Sequence, residues 1–102
     1  MLGKYFMFDL KTEQNYNAIF EIIRYELNKL DPLGIVSLNS HLLDEYDTEN
    51  KEILPLIKNY KDYKAFANII CEVFKNSTNL DFNPEMFYTC AKNILSKSQN
   101  YK

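Results

Sequence analysis

His41, Asp44 and Glu45 follow one another closely along the chain. An imidazole beside carboxylates could ligate a metal ion or exchange protons as an acid–base pair. Ser37 and Ser40 precede the histidine, but a serine hydrolase also needs a positioned acid and an oxyanion site, and no nearby residue marks either. Glu45 and Glu49 resemble the paired carboxylates of general acid–base catalysis only in type; placement at a helix start explains them more simply. His41 is the only histidine, and acids three and four residues beyond it suit a solvated or loop-bracing side chain. The chain lacks GxGxxG, a P-loop, HExxH and GxSxG, so the familiar phosphate cradles, zinc pair and nucleophile elbow are missing. Cys71 and Cys90 have neither CxxC spacing nor a flanking histidine, which points to reduced, buried thiols rather than zinc. The expectation is no enzyme: no catalytic residue, no cofactor and no metal.

The elements that must position these residues are helical. Tyr16, Ile19, Phe20, Ile23, Leu27 and Leu30 recur at three- and four-residue steps, with Ile22 widening the stripe and Glu21, Arg24, Glu26 and Lys29 between them. That spacing predicts an amphipathic helix over 13–30. Asp31-Pro32 then ends it, because the proline ring disfavours the helical region for the residue before it, and Gly34 permits a backbone that most residues resist. A second helix is expected over 48–59, with Asp47 as its cap and Pro55 kinking or splitting it. A third, over 62–75, carries Tyr63, Phe66, Ala67, Ile70 and Phe74 on one stripe, broadened by Ile69 and Val73. Asn76 to Asn79 has turn chemistry. Asn83-Pro84-Glu85 opens a fourth helix whose apolar face is Phe87, Cys90, Ala91, Ile94 and Leu95.

Residues 1–12 carry the continuous run Tyr5 to Phe8, which periodicity assigns to neither strand nor helix, and 96–102 read as a fraying tail. With 102 residues, 46% of them hydrophobic and only two glycines, the chain can bury one core. The expected architecture is all-α, a compact single-domain bundle of about four helices. No apolar run approaches the ~20 residues of a membrane span and the N-terminus lacks a signal-peptide pattern, so a cytoplasmic protein is expected.

Charge is uneven. Residues 31–62 carry seven acids (Asp31, Asp44, Glu45, Asp47, Glu49, Glu52, Asp62) against Lys51, Lys58 and Lys61, whereas residues 63–102 carry three acids against five lysines. An acidic middle disfavours direct binding of nucleic acid, because neutralising phosphate needs a basic surface. It suits a basic protein partner. The surface expected to meet it is His41, Asp44, Glu45, Tyr46, Glu49 and Glu52. Tyr46, Tyr60 and Tyr63 lie around the acidic segment, as interface tyrosines often do. Tyr63 is expected in the core, and Tyr46 more readily packs back on the helix start.

The order Asp31-Pro32-x-Gly34 after one amphipathic helix and Asp44-Glu45-Tyr46-Asp47 before the next resembles a family of small helical bacterial proteins with a DPxG and DEYD signature. The likeness runs from about Leu27 to Phe74, with Thr48 standing where proline is expected at the first helical position. It implies an all-helical fold and assigns no catalytic residue. By analogy with small acidic inhibitors that occupy a basic cleft, the function expected is a toxin-neutralising immunity protein, the toxin being one that acts on nucleic acid. The alternative is a cytosolic helical adaptor or regulatory subunit.

Overall fold

The computed structural model describes residues 13–38 and 43–101. The apolar run Tyr5 to Phe8, together with Ser40 and His41, lies outside them. Four α-helices, α1 (Glu13–Leu30), α2 (Asp47–Ile53), α3 (Tyr63–Thr78) and α4 (Tyr88–Ser98), alternate with short 3-10 turns, and no strand occurs among the described residues. Helix α3 packs on α2 and α4 while α1 packs on α4 and α2, so the four surround one core. The radius of gyration, 13.5 Å, matches the ~13 Å expected for a packed chain of this length.

Each helix buries the stripe that its spacing dictates. In α1, Ile19, Ile23 and Leu27 lie one turn apart and have no exposed surface. Phe66, Ala67, Ile70 and Phe74 of α3 are equally enclosed, and Phe87, Ala91 and Ile94 close the core from the α4 side. Phe74 is the aromatic centre: it stacks on Phe87 at 5.6 Å and meets Phe82 and Tyr46 edge-on at 6.2 and 5.6 Å. Tyr63 is only half-buried, set edge-on against Tyr88 at 5.8 Å.

Pro55 splits the second helix. Helix α2 ends at Ile53 and a 3-10 turn, Leu54–Asn59, continues with the proline at its start, where a missing N–H costs nothing. Three residues per turn then align Leu54 with Ile57, and both are fully buried. Asp62 caps α3 by accepting from the Lys64 N–H at 2.9 Å, and Asn83 accepts from the Glu85 N–H at 3.0 Å. Pro84 opens a 3-10 turn, Pro84–Phe87, that leads into α4.

Three expectations are corrected. Asp47 is not a cap but the first residue of α2: Tyr46 precedes the helix without a side-chain cap bond, and the Asp47 carboxylate is turned toward α1. Helix α3 runs on to Thr78, because the Ser77 and Thr78 hydroxyls both donate to the Phe74 carbonyl instead of unwinding the chain, and Asn79 ends it at φ 61. The tail does not begin at 96: α4 continues to a fully buried Ser98, and a 3-10 turn carries half-buried Tyr101 against the core.

Asn50 ties α2 to α1. It is fully buried, and its Nδ2 donates to the Phe20 carbonyl at 2.9 Å while its Oδ1 has no partner among the described residues. Asn50→Asp keeps the shape but replaces the donor with a carboxylate facing a carbonyl. Urea unfolding at pH 7 is expected to show a loss of at least ~3 kcal/mol, partly recovered at acidic pH as the new carboxyl takes up a proton. A loss under ~1 kcal/mol would mean that this bond does not hold the two helices together.

Candidate partner-binding site

Asp31 ends α1 in the left-handed region at φ 51, a conformation that Asp and Asn tolerate better than most residues. Its N–H still reaches the Leu27 carbonyl at 2.8 Å, and its own carbonyl accepts from the Gly34 N–H at 3.0 Å, closing a turn over Pro32 and Leu33. Gly34 itself stands at φ 70, where a side chain would strain the backbone although the space around it is open.

The Asp31 carboxylate organises the next six residues. It accepts from the Tyr46 hydroxyl at 2.5 Å, the Ser37 N–H at 2.9 Å and the Val36 N–H at 3.1 Å, while the Tyr46 oxygen accepts from the Leu33 N–H at 3.1 Å. Burial alone would raise the Asp31 carboxyl, but the bonds from Tyr46, Ser37 and Val36 outweigh it and hold the group at about 2. Burial and the bond to Asp31 push the Tyr46 phenol up to about 12. Asn28 Nδ2 donates to the Leu43 carbonyl at 2.7 Å, so the returning chain is pinned to the same end of α1.

Of the residues expected to meet a partner, Asp44, Glu45 and Glu52 are exposed. His41 lies outside the described residues. Tyr46 and Glu49 are corrections: both are buried. Tyr46 packs edge-on to Phe74 because its hydroxyl is held by Asp31 beneath the connection. Glu49 lies one turn before the fully buried Ile53 and shares its inward face, so the regular spacing of Glu45, Glu49 and Glu52 does not mark one exposed stripe. Glu45 precedes the helix altogether.

Arg24, which the sequence presents only as a polar residue of α1, divides the acids into two classes. Its guanidinium grips Asp47 with Nε at 3.1 Å and Nη2 at 2.5 Å, bonds Glu21 through Nη1 at 3.1 Å and lies over the Phe20 ring at 5.2 Å. The bond to Asp47 raises its already high pKa. Asp47, held by two bonds, is thereby neutralised, Glu21 shares the same cation through one bond, and Asp44 contributes to the field at Arg24. Among the described residues, Glu45 and Glu52 have no ion-pair partner.

Nothing else described gathers into a reactive centre. The Ser37 hydroxyl donates to the Gly34 carbonyl at 3.1 Å. Both cysteines are free and buried, and burial raises each thiol, Cys90 to about 12. Among the described residues no group of three or more His, Cys, Asp or Glu could hold a metal, and no helix is long and apolar enough to cross a membrane. No protein-family profile, curated protein or solved structure matches the chain.

Asp31→Asn keeps a residue suited to φ 51 but removes the charge. Because the folded carboxyl is depressed, its stabilisation is present above the ordinary pKa of 3.8 and is lost as pH falls toward about 2. The variant is expected to be ~1–3 kcal/mol less stable at pH 7, with the gap closing between pH 4 and 2. A difference that stays constant across that range would show that charge is not what Asp31 contributes.

Proposed function

We propose that this chain is a non-catalytic binding protein that neutralises a basic protein partner in the cytoplasm, most concretely an immunity protein against a toxin that acts on nucleic acid. The observation that carries the reading is that Glu45 and Glu52 are exposed and lack an ion-pair partner among the described residues, while nearby Asp47 is neutralised by Arg24. Unpaired carboxylates keep their long-range field, which speeds the approach of a positively charged surface and disfavours nucleic acid itself. Asp44 extends that surface.

On this reading the DPxG and DEYD elements, which resemble those of small helical bacterial proteins, divide their labour. Asp31 and Tyr46 are scaffold, Asp47 belongs to the Arg24 pair, and Asp44 and Glu45 face outward. A toxin that cleaves or modifies nucleic acid needs a basic cleft to hold phosphate, and an acidic surface of this kind would occupy it.

Glu45→Lys with Glu52→Lys tests the surface without touching Asp44, which acts on Arg24, or the buried Glu49. Stability is expected to change by no more than ~0.5 kcal/mol, as for substitutions at exposed sites. Immobilised native chain should recover a basic toxin in equal stoichiometry from extracts of the source cell. The double variant should associate with it more slowly, above all at low salt, where charges act over more than the ~10 Å of 0.1 M salt. Identical association by the folded variant would exclude this surface.

A further inference from the structure

Away from the acidic connection, the last turns of α1 and the first half of α4 enclose a half-open pocket of about 190 Å³ lined by Glu26, Lys29, Leu30, Thr89, Cys90 and Asn93. Glu26 is only 2% exposed. Its Oε1 accepts from Asn93 Nδ2 at 3.2 Å and its Oε2 from Lys97 Nζ at 2.6 Å. A carboxylate offers about four lone-pair positions, so each oxygen keeps room for another donor.

The surroundings narrow what that donor belongs to. The Lys97 ammonium is already bonded to Glu26 and lies over the Tyr25 ring at 4.7 Å, and the Lys29 ammonium stands 6.0 Å from the centre of the same ring. An ionised acid would bring only acceptors to the Glu26 oxygens, which can themselves only accept. The Cys90 thiol is buried and stays protonated, since burial and then the Glu26 charge raise it, so it acts as a soft apolar wall and not as a nucleophile. With Leu30 it leaves a chiefly apolar surface. An engineered apolar cavity of about 150 Å³ takes up benzene, which sets the scale at one ring.

We propose that this pocket binds a small neutral molecule with a one-ring apolar body and a hydroxyl, a phenol or aryl alcohol, whose O–H donates to Glu26. The site is independent of the acidic surface and of any protein partner. Binding leaves all covalent bonds intact.

Amide chemical shifts of the isotope-labelled native chain, titrated separately with phenol, toluene and benzoate, test it. Phenol is expected to move Leu30, Cys90 and Asn93 and to bind about tenfold more tightly than toluene, the step that a hydrogen bond to a charged acceptor supplies. Benzoate should bind least. Binding of benzoate or toluene as tight as that of phenol, shifts confined to other residues, or no saturable binding at all would overturn the proposal. Glu26→Gln, whose neutral amide oxygen is a weaker acceptor, should narrow the preference of phenol over toluene, and an undiminished preference would also overturn it. The three-ligand comparison on the native chain decides the matter even if that variant does not fold.

Discussion

The turn that follows the first helix depends on one carboxylate. Asp31 stands in a left-handed conformation that ends α1, and its side chain gathers Tyr46, Val36 and Ser37 around it. The consequences spread through packing. With its hydroxyl fixed, the Tyr46 ring lies against Phe74, at the centre of the aromatic core, and Tyr46 is also the residue from which α2 departs. The start of α2 is thereby set where Asp47 meets Arg24 of α1. A charge-assisted bond in a partly dry site is stronger than a neutral one, which suits it to hold a turn that Gly34 would otherwise leave with several conformations.

That arrangement separates acids that build the fold from acids left for other use. Asp31 and Asp47 are engaged by donors, Glu26 is buried against Asn93 and Lys97, and Glu49 is buried on the inward face of α2. Glu45 and Glu52 remain exposed without ion-pair partners among the described residues. The acidic excess of residues 31–62 is thus a poor measure of the surface field, because a large part of it is spent inside the structure. What faces outward is smaller and better defined.

The helices were legible because apolar spacing and cap residues are local signals: Ile19, Ile23 and Leu27 announce α1, and Asn83 announces the start that it caps. The split at Pro55 was legible for the same reason, a missing donor being a property of the residue itself. The acids were not. Asp31 acts on Tyr46 fifteen positions away, Arg24 on Asp47 across twenty-three, and Lys97 on Glu26 across seventy-one. No periodicity encodes such pairings. Glu26 looks like an outward residue until α4 is seen to bring a lysine and an amide to it. Tyr46 was better served, since its place just before α2 already favoured packing over exposure.

Amide hydrogen exchange at Leu33, Val36 and Ser37 tests the central claim, that Asp31 and Tyr46 hold residues 31–37 in one conformation. These N–H groups lie outside any helix, and their acceptors among the described residues are the Tyr46 hydroxyl and the Asp31 carboxylate. The account predicts protection comparable to that of helix-end amides in the native chain, lost at Leu33 and lowered at Val36 and Ser37 in Tyr46→Phe while the amides of α3 and α4 stay protected. Exchange at the rate of an unfolded chain in the native protein would contradict it.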